Sequence, residues 1–407
     1  MIRICRIVFV SLPSMIYFVI SLVVATLIID FVVWQRLIRS RVKSESRARL
    51  LLVLMWSANL LPALMSALYL LANDNTTLLM NVSMWAIFAF AVIAIPKSMV
   101  ALVMLLFRRV IARIFGFVAI AAYIALLIYS VAVTRCDIKI SHIELHYPSL
   151  PESFDGFRVA QFSDLHIGTL VNPKREVSHL VQKINSTDAD VVVFTGDLIN
   201  VRPEELTPSL MHTLGSIRSR HGVYSITGNH DMGYYIKDSI NHPRSEAHAQ
   251  LLKKERDMGW NLLDNASRII VRGVDTISIT GISFADTLRK LRHAREIPLL
   301  DIRRAYGDLS PKRFNITLAH IPQMWSEIVD CGYADLTLSG HVHSMQVKCS
   351  LFGESISPAR IVYPKWSGLY SDDENIRHLY INDGIGYVGA PMRVGARPEI
   401  TIITLRR

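Results

Sequence analysis

Four long apolar stretches occupy the first third of the chain, at residues 7–29, 50–72, 78–107 and 114–133. A helix needs about 20 apolar residues to cross the hydrocarbon core of a bilayer, and each stretch is long enough. The alternative, buried helices of a water-soluble domain, is disfavoured by the near absence of polar breaks within them. A cleaved signal peptide would account for the first stretch alone. The pattern predicts a transmembrane region of about four spans over residues 1–136 and a separate domain over 137–407.

The third stretch is ambiguous, because Pro96 and Lys97 fall inside a segment longer than one straight crossing requires. It reads as one tilted or kinked helix, or as a span followed by an interfacial piece. Two spans there would reverse the topology. A charge on lipid is costly, so Lys97 is expected at a span end or snorkelling to the interface.

The formal net charge of +10 belongs entirely to the membrane part. Residues before 137 hold 13 Lys and Arg against 3 Asp and Glu, which leaves 31 of each sign in the remainder. A nucleic-acid-binding domain would be basic, so that partner is disfavoured, a local patch aside. Lys and Arg in short loops favour the cytoplasm. The loop after the first stretch holds Arg36, Arg39, Arg41, Lys43, Arg47 and Arg49, and the loop before the fourth holds Arg108, Arg109 and Arg113. Both are expected to be cytoplasmic. The N-terminus with Arg3 and Arg6, the turn at 73–77 and everything after the fourth span would then lie outside, in the periplasm if the source is a Gram-negative bacterium.

In the remainder, five short motifs follow in order: Ser163-Asp164-Leu165-His166, Gly196-Asp197, Gly228-Asn229-His230-Asp231, the isolated His320, and Gly340-His341-Val342-His343. Each alone could be chance, but the ordered set is hard to obtain by accident. Asp, Asn and His mix hard oxygen donors with imidazole nitrogen, which suits manganese, iron or zinc better than magnesium or calcium. Together the motifs supply ligands for two metal ions and point to a two-metal phosphoester hydrolase. His341 and His343, two residues apart, share a face if extended. His320 stands alone, and by spacing a structural and a ligating role are evenly balanced. His179, His212, His221 and His378 show no ligand spacing and read as surface or satisfied core residues.

Each motif follows a short apolar run with strand character, at 157–162, 190–194, 223–226, 314–319 and 336–338. The polar residues would therefore sit at C-terminal strand ends, which line the ligand crevice of open α/β sheets. From Asn172, an N-cap and Pro173 precede Val177, Leu180, Val181 and Ile184, a helical stripe. A second helix is expected over 204–217, with Leu206, Leu210, Leu214 and Ile217 on one face. Strands alternating with helices imply an α/β fold with buried parallel strands and right-handed crossovers.

These residues resemble the calcineurin-like metallophosphoesterases, whose pattern is D-x-H, G-D, G-N-H-D/E, H and G-H-x-H. The resemblance covers about residues 137–407. The closing segments Leu379-Tyr380-Ile381-Asn382-Asp383-Gly384-Ile385-Gly386 and Arg397-Pro398-Glu399-Ile400 are similar to the membrane-associated bacterial branch of YkuE- and YaeI-like phosphodiesterases. The resemblance implies a β-sheet sandwich flanked by α-helices. It also implies one metal held by Asp164, His166 and His343, a second held by Asn229, His320 and His341, and Asp197 bridging them. The ions would be divalent transition metals, manganese first. Two such cations about 3.5–4 Å apart lower the pKa of a shared water and clamp phosphoryl oxygens. His230 would protonate the leaving oxygen as general acid, with Asp231 orienting or charge-stabilising its ring. This chain departs from the branch at Ser344 and Met345, where relatives carry glycines, so the pocket floor is expected to differ.

Between 231 and 314 the motifs fall silent. A charged helix is expected over 246–258, short strands over 269–271 and 277–279, and a helix over 285–295 that reads as a solvated surface or as a basic lip for phosphate or headgroup. Cys331 and Cys349 flank the last His motif, and a disulfide and separate thiols both stay open.

Spans and motifs together imply an integral-membrane phosphodiesterase or pyrophosphatase acting on an amphiphilic, lipid-linked phosphoester. The competing reading is a catalytically weak metal-binding scaffold or sensor. The complete ligand set with His230 argues against it, and so does the lack of internal repeats or of a run of buried ionisable pairs suggesting transport, Asp30 and Lys97 being the only obvious candidates in or near the spans.

Overall fold

The apolar stretches become helices, and polar caps set where two of them begin. The computed structural model describes residues 12–39, 41–107, 109–284, 302–351 and 354–407. Helix α1 is Leu12–Val33, α2 Glu45–Leu71, α3 Thr77–Leu106 and α4 Val110–Ala132. The Ser44 and Thr76 hydroxyls accept from the N–H groups of Arg47 and Leu79 and so open α2 and α3. Among the described residues three helices are long and apolar enough to cross a membrane, Glu45–Tyr69, Thr77–Met104 and Val110–Cys136. The first helix adds a shorter apolar piece, Val23–Val33. Residues 7–11 of the first expected span lie outside the described residues.

The third stretch is one unbroken helix, with Pro96 and Lys97 inside α3. At 1.5 Å per residue its 30 residues span about 45 Å, more than the hydrocarbon core requires. Lys97 corrects the expectation of a span-end or snorkelling charge. Its Nζ donates to Asp30 Oδ2 at 2.7 Å, to the Met55 carbonyl at 2.7 Å and to Asn59 Oδ1 at 2.9 Å. Asn59 Nδ2 in turn donates to Asp30 Oδ2 at 2.9 Å. A buried charge is tolerated when paired and hydrogen-bonded, and this cluster joins α1, α2 and α3.

The second unit comprises Val133–Val388 and Arg393–Arg407. Its strands are β1 (Lys139–His146), β2 (Arg158–Phe162), β3 (Val191–Phe194), β4 (Val223–Ser225), β5 (Asn261–Leu262), β6 (Ala266–Arg272), β7 (Asp275–Ile282), β8 (Asn315–Ala319), β9 (Leu336–Ser339), β10 (Cys349–Leu351), β11 (Glu354–Ile356), β12 (Gly368–Ser371), β13 (His378–Ile381) and β14 (Glu399–Arg406). They form two six-stranded sheets, ordered β1-β14-β2-β3-β4-β5 and β12-β13-β9-β8-β7-β6, beside a β10-β11 hairpin. Strands β2 to β5 run parallel, as do β7, β8, β9 and β13.

Between the sheets lies one apolar core. Val159, Val191, Val193 and Ile403 of the first sheet meet Ile277, Ile279, Ile316, Leu318 and Leu338 of the second. This is the expected sandwich. Strands buried on both faces explain why the runs before the motifs read as continuously apolar rather than alternating.

Helix α5 (Pro173–Asn185) forms as expected, with Asn172 capping the Arg175 N–H at 3.2 Å and Val177, Leu180, Val181 and Ile184 buried. The helix predicted over 204–217 is shorter. A 3₁₀ turn at Pro203–Glu205 precedes α6 (Pro208–Gly215). Pro208 disfavours helical geometry at the residue before it, and Thr207 is extended, with φ −73° and ψ 158°, so the helix starts afresh at Pro208. The charged helix is α7 (Arg244–Asp257). The two short strands lengthen into β6 and β7. The helix expected over 285–295 lies outside the described residues. Cys331 and Cys349 are not joined in a disulfide.

Candidate metal centre

Every candidate residue follows the C-terminal end of a strand. Asp164 and His166 follow β2, Asp197 follows β3, Asn229 and His230 follow β4, His320 follows β8, and His341 and His343 follow β9. The first three strands belong to one sheet and the last two to the other, so the site is assembled where two sheet edges converge. Backbone bonds tie these turns together. The Asp164 N–H donates to the Gly196 carbonyl at 2.9 Å, His166 N–H to Asp197 at 3.1 Å, and Gly340 N–H to His320 at 3.0 Å.

The turns are tight, and five candidate residues are left-handed: Asp164, His166, Asp197, His341 and His343 have φ between 44° and 73°. Such conformations cost energy for residues with a Cβ and gather at functional sites. Two glycines make the approach possible. A Cβ on Gly228 would overlap Asp197 Oδ1, and one on Gly340 would overlap Ser163 Oγ and Asp164 Oδ2.

The side chains converge into two groups that share Asp197. In one, Asp164, His166, Asp197 and His343 place potential ligand atoms within 4.8 Å of one another, and in the other Asp197, His320 and His341 do so. Asp197 Oδ2 lies 3.1 Å from His320 Nε2 and 3.7 Å from His166 Nε2. Its Oδ1 accepts the His230 backbone N–H at 2.8 Å. His343 Nε2 is 3.1 Å from Asp164 Oδ1 and 3.2 Å from His166 Nε2. Asn229 Oδ1 lies 3.1 Å from His320 Nε2.

The donor chemistry fits cations. His320 Nδ1 faces the Thr195 carbonyl at 2.8 Å, and a carbonyl only accepts, so Nδ1 carries the hydrogen. The Nε2 lone pair of the neutral ring then faces two oxygens, Asp197 Oδ2 and Asn229 Oδ1. Lone pairs aimed at each other in a buried place are what a bound cation reconciles. Electrostatics agree. Burial disfavours charge on both carboxylates, yet the His343 imidazole beside Asp164, and His320 and His230 beside Asp197, hold both carboxyls below the usual range. Burial lowers the His320 pKa, but Asp197 outweighs it and raises it to about 9, so without a cation Nε2 takes a proton that faces these oxygens, and a metal ion would displace that proton to use the lone pair.

His230 is anchored differently from the candidate ligands. Its Nδ1–H donates to the Asn200 carbonyl at 2.6 Å, its ring stacks on Tyr235 with centroids 4.1 Å apart, and it meets the His166 ring edge-on at 4.6 Å. With Nδ1 committed, Nε2 is the end that can deliver a proton. Burial foremost keeps its pKa below that of a free imidazole. Asp231 does not orient this ring. Its carboxylate accepts backbone N–H groups from Asp197 at 2.7 Å, Leu198 at 2.9 Å, Ile199 at 3.2 Å and Gly228 at 2.8 Å, so it holds the turns that carry Asp197 and Asn229.

Ser344 and Met345 take the left-handed backbone that glycine adopts easily. Residues 343–346 are all left-handed, with φ between 47° and 59°. Ser344 Oγ donates to Asp383 Oδ1, Ser357 Oγ donates to the Ser344 carbonyl at 2.7 Å, and Lys348 Nζ donates to Asp383 Oδ2 at 2.8 Å. These bonds offset strain that glycine would avoid.

Of the unassigned histidines, His212 is exposed and His179 and His221 are half-buried, as expected of surface residues, whereas the buried His378 leaves Nδ1 without a hydrogen-bond partner among the described residues and is not the satisfied core residue expected. His378 is buried edge-on against Tyr147, and His221 packs beside Phe157. Sequence reasoning missed Glu205, which accepts from the N–H groups of Gly168, Asn200, Val201 and Arg202 and so supports the Asn200 turn. It also missed Asn200 and Tyr235. A backbone carbonyl leaves no trace in residue type, and Tyr235 lies in a turn without periodicity.

A family model described as calcineurin-like phosphoesterase matches residues 157–345. A Danio rerio protein named "Transmembrane protein with metallophosphoesterase domain" is 31% identical over 280 residues, 66% of this chain and 57% of its own length. The uncharacterised metallophosphoesterase YkuE of Bacillus subtilis is 28% identical over 259 residues, 63% of this chain and 82% of its own. The UDP-2,3-diacylglucosamine pyrophosphatase LpxG of Chlamydia trachomatis is 25% identical over 277 residues, 61% of this chain and 84% of its own. The chain thus spans little more than half the length of the Danio rerio relative.

Proposed function

This chain carries a calcineurin-like metallophosphoesterase domain, and from that premise we propose that it is a membrane-anchored dinuclear-metal phosphodiesterase or pyrophosphatase acting on an amphiphilic, lipid-linked phosphoester. The observation that carries the reading is Asp197, shared by two buried ligand groups with His230 alongside. Asp164, His166 and His343 would hold one cation, Asn229, His320 and His341 the other, with Asp197 between them. Such cations supply positive charge for phosphoryl oxygens and make water a better nucleophile at neutral pH. The mix of carboxylate, amide and imidazole makes manganese, iron or zinc the metals to try, manganese first.

The chain's own residues do the rest. As a water oxygen bonds to phosphorus and the phosphorus–oxygen ester bond breaks, the doubly protonated His230 ring gives its Nε2 proton to the departing oxygen, and the proton shed by the water passes to solvent, from which the ring is recharged. Asn200 and Tyr235 hold the ring while this happens. The membrane helices and the likeness to a UDP-2,3-diacylglucosamine pyrophosphatase, whose named substrate is diacylated, support the lipid-linked substrate. Arg39, Arg41 and Lys43 lie between α1 and α2, with Arg47 and Arg49 near the start of α2, and Arg109 precedes α4, with Arg113 near its start. Two helices separate these loops, so both lie on one side, and the positive-inside bias makes it cytoplasmic. The domain after α4 is then extracytoplasmic, whether or not α1 crosses.

The test uses full-length protein in lipid nanodiscs with manganese. Hydrolysis of a diacylated sugar–nucleotide pyrophosphate is compared with that of its deacylated analogue and of an aryl phosphodiester, for wild type, Asp197→Asn and His230→Ala. Preference for the acylated substrate, abolished in both variants, is expected. Equal rates on acylated and deacylated forms would refute the lipid assignment, and a metal-loaded wild type that turns over nothing would leave a metal-binding scaffold.

A further inference from the structure

We propose that Tyr235 is a positioning residue that sets two parts of this site at once, the amide orientation of Asn229 and the ring plane of His230. The inference rests on the hydrolase reading above and adds a residue to it.

An asparagine amide can present either its oxygen or its NH₂ to a site, and neighbours decide which. Asn229 Nδ2 donates to the Tyr235 hydroxyl at 2.9 Å, which turns Oδ1 toward His320 Nε2 at 3.1 Å. Flipped, the amide would aim hydrogens where a cation needs a lone pair. The hydroxyl, which can accept or donate, holds the amide nitrogen on the side away from the centre and so anchors Asn229 with Oδ1 turned toward the ligand atoms, and such outer partners tune metal affinity.

The ring has a second task. His230 is pinned at Nδ1 by the Asn200 carbonyl, and one hydrogen bond leaves an imidazole free to swing about that bond. The Tyr235 ring lies nearly parallel to it, 19° between planes, and the His166 edge meets it at 86°. Together they fix the plane in which Nε2 can reach a leaving oxygen. Tyr235 remains 41% exposed, so it borders the site rather than the core.

The two contacts can be removed separately in the full-length protein. Tyr235→Phe deletes only the hydroxyl, and Tyr235→Leu deletes both. Manganese affinity is read by competition with a fluorescent chelator, and kcat is read on aryl phosphodiesters whose phenols span a range of acidity. Both variants are expected to bind manganese about 10-fold more weakly, and Tyr235→Phe is expected to add no further loss to Asn229→Ala, which separates the effect from general damage. Tyr235→Leu alone is expected to lower kcat progressively, to about 10-fold for the least acidic phenol and little for dinitrophenol, because only poor leaving groups need the proton. Wild-type affinity in Tyr235→Phe, together with an equal fall on every phenol in Tyr235→Leu, would overturn the proposal. If wild type hydrolyses no ester at all, the hydrolase reading fails while the manganese comparison still decides the Asn229 half.

Discussion

The Asp231 carboxylate accepts the backbone N–H of Asp197 at 2.7 Å, so the last residue of one motif holds the key residue of another in place. Three more backbone N–H groups converge on it, two of them from Leu198 and Ile199, the third from Gly228. Asp231→Ala leaves four donors short of an acceptor. Denaturant unfolding is expected to show a loss of about 2–4 kcal/mol, and metal analysis a lowered content. A variant of normal stability and metal content that fails only on poor leaving groups would return Asp231 to the ring-orienting role.

His230→Gln tests the proton donor without disturbing the ligands. General-acid catalysis is worth about 10²–10⁴ in rate, so kcat is expected to fall by that range on a substrate with a poor leaving group while metal content stays unchanged. Asp197→Asn should do the opposite, losing metal first. Loss of metal in the His230 variant would mean that it ligates.

Glu255 on α7 gives the unit a pH dependence. It is fully buried, Ser225 Oγ donates to its Oε2 at 2.6 Å, and its Oε1 has no hydrogen-bond partner among the described residues. Burial, with the Asp231 carboxylate in second place, raises its pKa from 4.5 to about 8. A raised carboxyl pKa means the fold prefers the protonated form. That stabilisation is complete below pH 4.5 and is lost as pH rises through 8. Glu255→Gln cannot ionise. Unfolding from pH 5 to pH 8.5 is expected to show wild type losing a few kcal/mol relative to the variant. Parallel curves would show that Glu255 is ionised when folded.

Lys97 and Asp30 form a pair across 67 residues of sequence. Removing one partner of a buried ion pair typically costs about 3–5 kcal/mol, whereas removing both costs far less. Lys97→Met is therefore expected to lower the melting temperature in detergent, and Lys97→Met with Asp30→Asn to recover most of it. Additive losses would mean that the two charges do not interact.

Much of the site was legible because its signals are local. Asp164, His166, Asp197, Asn229, His320, His341 and His343 each follow an apolar run that becomes a buried strand, and α5 begins where the Asn172 cap and Pro173 place it. The 204–217 helix was misjudged where a local rule was overlooked, the effect of Pro208 on Thr207. The roles of Asp231 and Lys97 were misjudged for another reason. Asp231 looked like a partner for its neighbour His230, and its carboxylate instead reaches backbone brought in by β3. Lys97 looked like a misplaced charge because its partner lies on another helix.

Residue order by itself determined the apolar spans, the strands, the ligand types and their positions at strand ends, since periodicity, capping and donor chemistry act over a few residues. Only the tertiary structure decided that the strand ends of the two expected sheets meet at Asp197. It alone turned five of these residues left-handed, paired Lys97 with Asp30, and stacked Tyr235 on His230. Those outcomes depend on contacts between segments far apart in the chain, which packing creates and no local pattern encodes.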